Sequence, residues 1–264
     1  MKLICLISHP RSGSTSLMKK IESESNTSSV LEIFHMNEGV ICQHIDEGLG
    51  KGTSEELKKV FSIDMVKELA LKNPKQYLEY LMQQAKIQKK TAIFFKVFPN
   101  HIKNPSDLKV ILDLSDYIVF LKRNSLHSFI SNEKAQEVGT YANVDTSNIK
   151  ITFCGDEFSK WRKTIDMFFS QSIATVESLG KEKAVFHYEE LFDESDAPIA
   201  ELYNFLGLEN AKNLEIVKAD QLKKQDNQVK ASKKVSNPIE LMEYLDGHDL
   251  SPLEFSYNKD IELI

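Results

Sequence analysis

The sequence predicts an α/β fold, a mostly parallel central sheet flanked by helices, and three observations predict it. Four short apolar runs, Leu3–Ile7, Ala92–Phe98, Tyr117–Leu121 and Ala184–His187, are rich in Ile, Val and Phe. Strands apolar on both sides belong to a sheet covered on both faces. Long stretches with helical spacing separate these runs, which is the alternation of βα crossovers. The chain of 264 residues, 41% hydrophobic and 27% charged, is also long enough to bury a core and too ordinary in composition for disorder, collagen or coiled coil throughout. With no internal repeat and no Pro- or Gly-rich linker, residues 1–264 are expected to form a single domain.

The first strand begins at the N-terminus, Met1-Lys2-Leu3-Ile4-Cys5-Leu6-Ile7-Ser8. Only five apolar residues precede His9-Pro10-Arg11, short of the ~7–15 of a signal-peptide core, so the segment reads as a buried strand of a cytoplasmic protein. Asn73-Pro74 supplies an N-cap and a first-turn proline for a helix reaching about Lys90, and Asn237-Pro238 does the same near the C-terminus. From Phe158 to Leu179, Trp161, Ile165, Phe168, Phe169, Ile173 and Val176 recur at i, i+3, i+4, the pattern of one long amphipathic helix with Trp161 in the core. Leu202, Phe205 and Leu206 end another helix at Gly207. Irregular structure is expected at roughly 35–60, 139–157 and 210–236. Gly50-Lys51-Gly52-Thr53 superficially resembles a nucleotide-kinase loop, but no apolar strand precedes it, and it reads as a plain turn.

Several function classes drop out. The longest apolar runs fall far short of the ~20 residues of a membrane span. Cys5, Cys42 and Cys154 form no C-x-x-C pair, which suggests neither a disulfide framework nor a zinc site. The net charge of −6 argues against a general nucleic-acid binder. The cations are nevertheless clustered: residues 1–20 carry +4, 86–123 carry +5 and 218–234 carry +4, leaving −19 elsewhere. If these segments converge, an acidic protein gains one positive cleft suited to a small polyanion; a solvated Lys-rich surface is the alternative.

Two segments carry the chemistry. After the first strand comes His9-Pro10-Arg11-Ser12-Gly13-Ser14-Thr15-Ser16, a polar turn that opens a helix. Gly13 lets backbone approach a ligand closely, the N–H groups of the first helical turn point at an anion, and the hydroxyls of Ser12, Ser14 and Thr15 add donors. Arg11 adds a charge able to bind two oxygens at once. This is a phosphate cradle but not a Walker A loop; the alternative is that the hydroxyls merely cap the helix. The strand at Tyr117–Leu121 runs into Lys122 and Arg123, where a P-loop ATPase often places a magnesium-holding Asp, so the ligand's charge would be met by protein cations with no metal required. Arg123 and Ser131, two helical turns on, could grip one phosphate.

Together these motifs resemble the sulfotransferase family that uses 3′-phosphoadenosine-5′-phosphosulfate (PAPS), whose nucleotide-binding core is P-loop-like. Pro10-Arg11-Ser12-Gly13-Ser14-Thr15 is similar to its 5′-phosphosulfate loop, and Arg123 with Ser131 has the spacing of its 3′-phosphate motif. The resemblance continues in order through Phe94-Phe95-Lys96-Val97-Phe98-Pro99, Lys134-Ala135 ahead of Gly139, Tyr188-Glu189-Glu190-Leu191 and Phe205-Leu206-Gly207-Leu208, covering most of residues 1–208. Leu31-Glu32-Ile33-Phe34-His35 resembles the Glu-x-Phe element of bacterial carbohydrate sulfotransferases of the nodulation-factor and trehalose types, where the glutamate is the proposed general base. Two departures stand out. Ser16 replaces the adenine-stacking Trp of the cytosolic animal enzymes, and the Arg-Lys-Gly element near the C-terminus is missing, leaving Lys224 in Lys223-Lys224-Gln225 as the candidate there.

The resemblance implies transfer of a sulfuryl group from PAPS to an acceptor hydroxyl of a carbohydrate or small metabolite, leaving adenosine 3′,5′-bisphosphate (PAP). Glu32 is then the base, with His35 and His101 as rivals; Arg11 and Lys96 stabilise developing charge, and Tyr188 contacts adenine. Two other readings stay open: a nucleotide or small-molecule kinase, and an inactive protein that only binds the bisphosphate nucleotide.

Overall fold

A computed structural model of the protein describes residues 1–102, 104–139, 144–191, 197–208 and 228–255. Among these, five strands form one parallel sheet: β1 (Lys2–Ile7), β2 (Thr27–Leu31), β3 (Ala92–Val97), β4 (Tyr117–Lys122) and β5 (Lys183–His187), in the order β2-β3-β1-β4-β5. β1 is central. The chain leaves it toward β2 and β3 on one side and later crosses to β4 and β5 on the other, so the crevice beyond its carboxyl end is the switch point where open α/β sheets bind ligands.

The helices are α1 (Ser14–Glu24), α2 (Glu38–Leu49), α3 (Thr53–Phe61), α4 (Val66–Lys72), α5 (Pro74–Ile87), α6 (Pro105–Leu114), α7 (Ser125–Val138), α8 (Gly155–Ser178), α9 (Tyr188–Leu191), α10 (Ala197–Leu206) and α11 (Pro238–Gly247). Alternation along the strands sorts them into two layers. Leu3, Cys5 and Ile7 with Phe95 and Phe120 face α2, α5, α6 and α8, whereas Ile4 and Leu6 with Phe94 and Val119 face α1 and α10. A third cluster, including Phe129, Phe158 and Leu241, joins α7, α8 and α11. No helix of the described residues is long and apolar enough to cross a membrane.

Two differences from the sequence reading concern the same region. β2 has no apolar alternation, Thr27-Ser28-Ser29-Val30-Leu31, yet it is wholly buried. Its hydroxyls are satisfied by neighbouring backbone: Ser28 donates to the Gly48 carbonyl and Ser29 to that of Met18, the latter at 3.0 Å. Residues 35–60, expected to be irregular, are mostly α2 and α3. Ile41, Ile45 and Leu49 recur every four residues along α2 and face the core, a stripe obscured in sequence by Gly39, Gly48, Gly50 and Gly52. Gly50 and Gly52 both have φ near +90°, and the segment Gly50-Lys51-Gly52-Thr53 is a turn between two helices. Trp161 packs edge-on against His9 and Phe129 and is partly buried, with its Nε1 enclosed.

Candidate active site

The backbone of the loop after β1 is turned sharply at two residues. Arg11 (φ 64°) and Gly13 (φ 83°) both lie in the left-handed region, a conformation that turns successive N–H groups toward one side. Gly13 is the N-cap of α1, and no side chain caps that terminus, so the capping alternative is not realised. Ser12 Oγ is buried without a hydrogen-bond partner, and so is Arg123 Nε across the cleft. Buried polar atoms of this kind are costly unless a ligand meets them, and both fit an anionic nucleotide.

Arg11 and Arg123 share one site. Arg123 Nη1 donates to the Arg11 carbonyl at 2.6 Å, and Arg11 Nε donates to Ser131 Oγ on α7 at 3.1 Å. The Arg123 guanidinium also lies over the Tyr188 ring at 4.3 Å from its centroid. The first two basic segments therefore converge. Glu189, beside Tyr188, accepts from the Asn124 backbone N–H at 3.0 Å, and burial raises its carboxyl above the usual range. Lys224 lies outside the described residues.

Glu32 stands where β2 ends, aimed by an irregular backbone. The β2–β3 register slips between Ser29 and Leu31, and Leu31 takes φ 44°, strained for a branched residue. The side chain meets Lys96 Nζ at 3.1 Å and His101 Nε2 at 3.4 Å. Lys96, 2% exposed near the end of β3, also donates to Thr15 Oγ1 at 2.7 Å, tying the carboxylate to the loop after β1. Burial opposes ionisation of Glu32, but the His101 contact and the Lys96 charge outweigh it and bring its pKa down to about 2. Burial likewise lowers Lys96 and His101, against the pull of Glu32.

Three imidazoles lie around Glu32. His101 Nδ1 accepts from the Phe98 backbone N–H at 3.2 Å, His35 Nδ1 from Asn37 at 3.0 Å, and His44 Nδ1 from the backbone N–H of Glu32 itself at 3.2 Å. The His35 and His101 rings meet edge to face at 5.5 Å. Ligand atoms of Glu32, His35 and His101 lie within 4.8 Å of one another, as a divalent metal would need. The Lys96 ammonium against the same carboxylate opposes a second cation there. Sequence reasoning missed His44 because it lies on α2; the available signal was Asn37, whose Oδ1 caps that helix at Gly39 N, 2.8 Å.

A family model described as the sulfotransferase family matches residues 4–212, more than half of the chain. The match spans the loop after β1, Glu32, Lys96, Arg123 and Tyr188. No curated protein matches the chain.

Proposed function

We propose, from the premise that the chain belongs to the sulfotransferase family and so moves sulfuryl groups, that its donor is PAPS and its acceptor an alcohol, a carbohydrate or small metabolite. The observation that carries this reading is the continuous chain Thr15–Lys96–Glu32, with contacts of 2.7 and 3.1 Å, linking the loop after β1 to a partly buried carboxylate. In this reading the loop after β1, from Arg11 through Ser12, Gly13, Ser14 and Thr15 to Ser16, receives the phosphosulfate. Arg123, Ser131 and Tyr188 receive the 3′-phosphate and adenine, with Arg11 spanning toward Ser131.

The transfer forms a bond from the acceptor oxygen to sulfur as the bond from sulfur to the bridging phosphate oxygen breaks. The electron pair leaves with PAP, and the acceptor's proton goes to Glu32. Catalysis of such in-line transfer rests on positioning and charge stabilisation. Lys96 makes the base conditional. Paired with Lys96, Glu32 is a weak base. An arriving sulfonate competes for the same ammonium, and loss of that partner raises the basicity of Glu32 where the acceptor's proton must be taken. His101 acts in the same cluster.

The test uses radiolabelled sulfate donor with a panel of hydroxyl acceptors, and calorimetry with PAP. Glu32→Gln is expected to bind PAP like the wild type and to lose transfer by ~10²–10⁴. Retention of more than about a tenth of turnover reassigns the base. A bisphosphate-binding protein without activity would bind PAP and transfer to no acceptor; a kinase would require magnesium and transfer phosphate.

A further inference from the structure

We infer that backbone amides set His35, His44 and His101 as Nε2–H tautomers, so that His101 turns its N–H toward the Glu32 carboxylate and His44 fixes the Glu32 main chain, making His44 and His101 positioning residues. This deepens the reading of Glu32 as the base and rests on it. A neutral imidazole carries one N–H, and a ring nitrogen that accepts a hydrogen bond is the one without it. Three separate backbone N–H groups, of Asn37, Glu32 and Phe98, point at the Nδ1 atoms of these rings. The proton of each ring is therefore on Nε2. His101 Nε2 is buried without a hydrogen-bond partner, and Glu32 Oε2, 3.4 Å away, is the acceptor its N–H would meet on a small closure of the contact.

Two alternatives fall on the same geometry. A general base needs a lone pair facing the acceptor hydroxyl, and a metal ligand needs one facing the ion; an Nε2–H offers neither. The other charges around Glu32 are Lys96 from β3, with Arg11 and Lys19 acting on Lys96 from the first loop and α1. His44 acts differently: by accepting from Glu32 N it secures the peptide that follows the strained Leu31, so both the backbone and the side chain of Glu32 are gripped by imidazole. The molecule supplies its own controls. His9 Nδ1 faces the Pro10 carbonyl at 2.9 Å and His248 Nδ1 that of Tyr244 at 2.8 Å, so these rings carry the proton on Nδ1.

Long-range nitrogen–proton NMR correlation on the full chain labelled with ¹⁵N-histidine reads the tautomers directly. The expected result is Nε2–H for His35, His44 and His101, opposite to His9 and His248, and unchanged by one equivalent of Zn²⁺. An unprotonated Nε2 on His35, His44 or His101, or a zinc-induced shift there, overturns the inference. Titration of ¹³C-labelled glutamate carboxyls in His101→Leu and His101→Gln separates donor from filler. The Leu variant should raise the Glu32 midpoint by about one pH unit, a tenfold gain in proton affinity. The Gln variant, which restores an N–H, should not. Equal shifts in both overturn the donor role, as does a raised midpoint in the Gln variant alone should the Leu variant not fold. PAP calorimetry is scored separately: absent binding with the expected tautomers defeats the sulfuryl-transfer reading alone.

Discussion

Arg123 is a half-buried cation with one guanidinium nitrogen unsatisfied, and the proposed reading gives that nitrogen the 3′-phosphate. One face of its guanidinium rests on Tyr188, Nη1 is committed to the Arg11 carbonyl, and Nε is buried without a partner. A hydrogen bond to a charged group contributes about 1.5–3 kcal/mol. Arg123→Ala should therefore weaken PAP binding by roughly ten- to a hundredfold, while the 3′-dephospho analogue loses much less. Calorimetry with both ligands checks this, and equal losses would remove Arg123 from the 3′-phosphate site. Arg123→Lys should not rescue binding, because an ammonium cannot supply the planar fork that spans Tyr188 and the Arg11 carbonyl. Residue type and position just after a predicted strand singled out Arg11 and Arg123 in the sequence, Lys96 stood out as a cation inside an apolar strand, and Glu32 was reached only through the resemblance of residues 31–35, since β2 has no apolar pattern. That Arg11 turns to Ser131 was not legible, because its direction is set by a left-handed backbone with no sequence signature at a non-glycine residue.

At the scale of the element, the β2–α2 contact carries the alignment of Glu32. α2 lies so close to β2 that a Cβ on Gly48 would come within 2.6 Å of the Ser29 carbonyl oxygen and 2.8 Å of Val30 Cγ1. Neither is the far end of a flexible side chain. Gly48→Ala must push α2 outward, at a cost of about 1–3 kcal/mol for overpacking, and carry His44 away from the Glu32 N–H. The expected outcome is a lower urea midpoint together with lost transfer activity but retained PAP binding, since the anion loop is on the other side of β3. A midpoint equal to that of the wild type would show that α2 is not pinned there. This layer was also the least legible one. Strand and helix patterns report apolar periodicity, and β2 is buried by hydroxyls bonded to helix backbone. β1, β3, β4, α5 and α8, which bury apolar side chains in period, were all readable, and so was β5 by its residue types although it buries Phe186 alone.

Across the whole molecule, buried neutral histidines link stability to pH. Burial lowers His9 to about 4 and also lowers His44, His101, His127 and His187 below the ordinary 6.5. His127 is the extreme case, because its Nδ1 accepts from the buried Lys234 ammonium at 3.0 Å and a proton there would set two cations together. The sign follows from proton counting. Below pH 6.5 the unfolded chain takes up protons that the folded chain refuses, so the stability due to these rings is complete above 6.5 and is lost as pH falls toward the folded values. A fully buried ring such as His9 adds up to about 1.4 kcal/mol per pH unit in that window, and the half-buried His44 and His187 add less because solvent screens them. Glu189 and Asp166, raised by burial, act in the opposite sense and offset a part of it. Urea unfolding free energy should therefore drop between pH 7.5 and pH 5, with more than one proton taken up on unfolding. His9→Asn, which keeps an N–H for the Pro10 carbonyl but cannot titrate, should flatten the slope by about one proton's worth. A stability that is level across this range, or that rises toward pH 5, would mean that these rings already carry their protons in the folded protein.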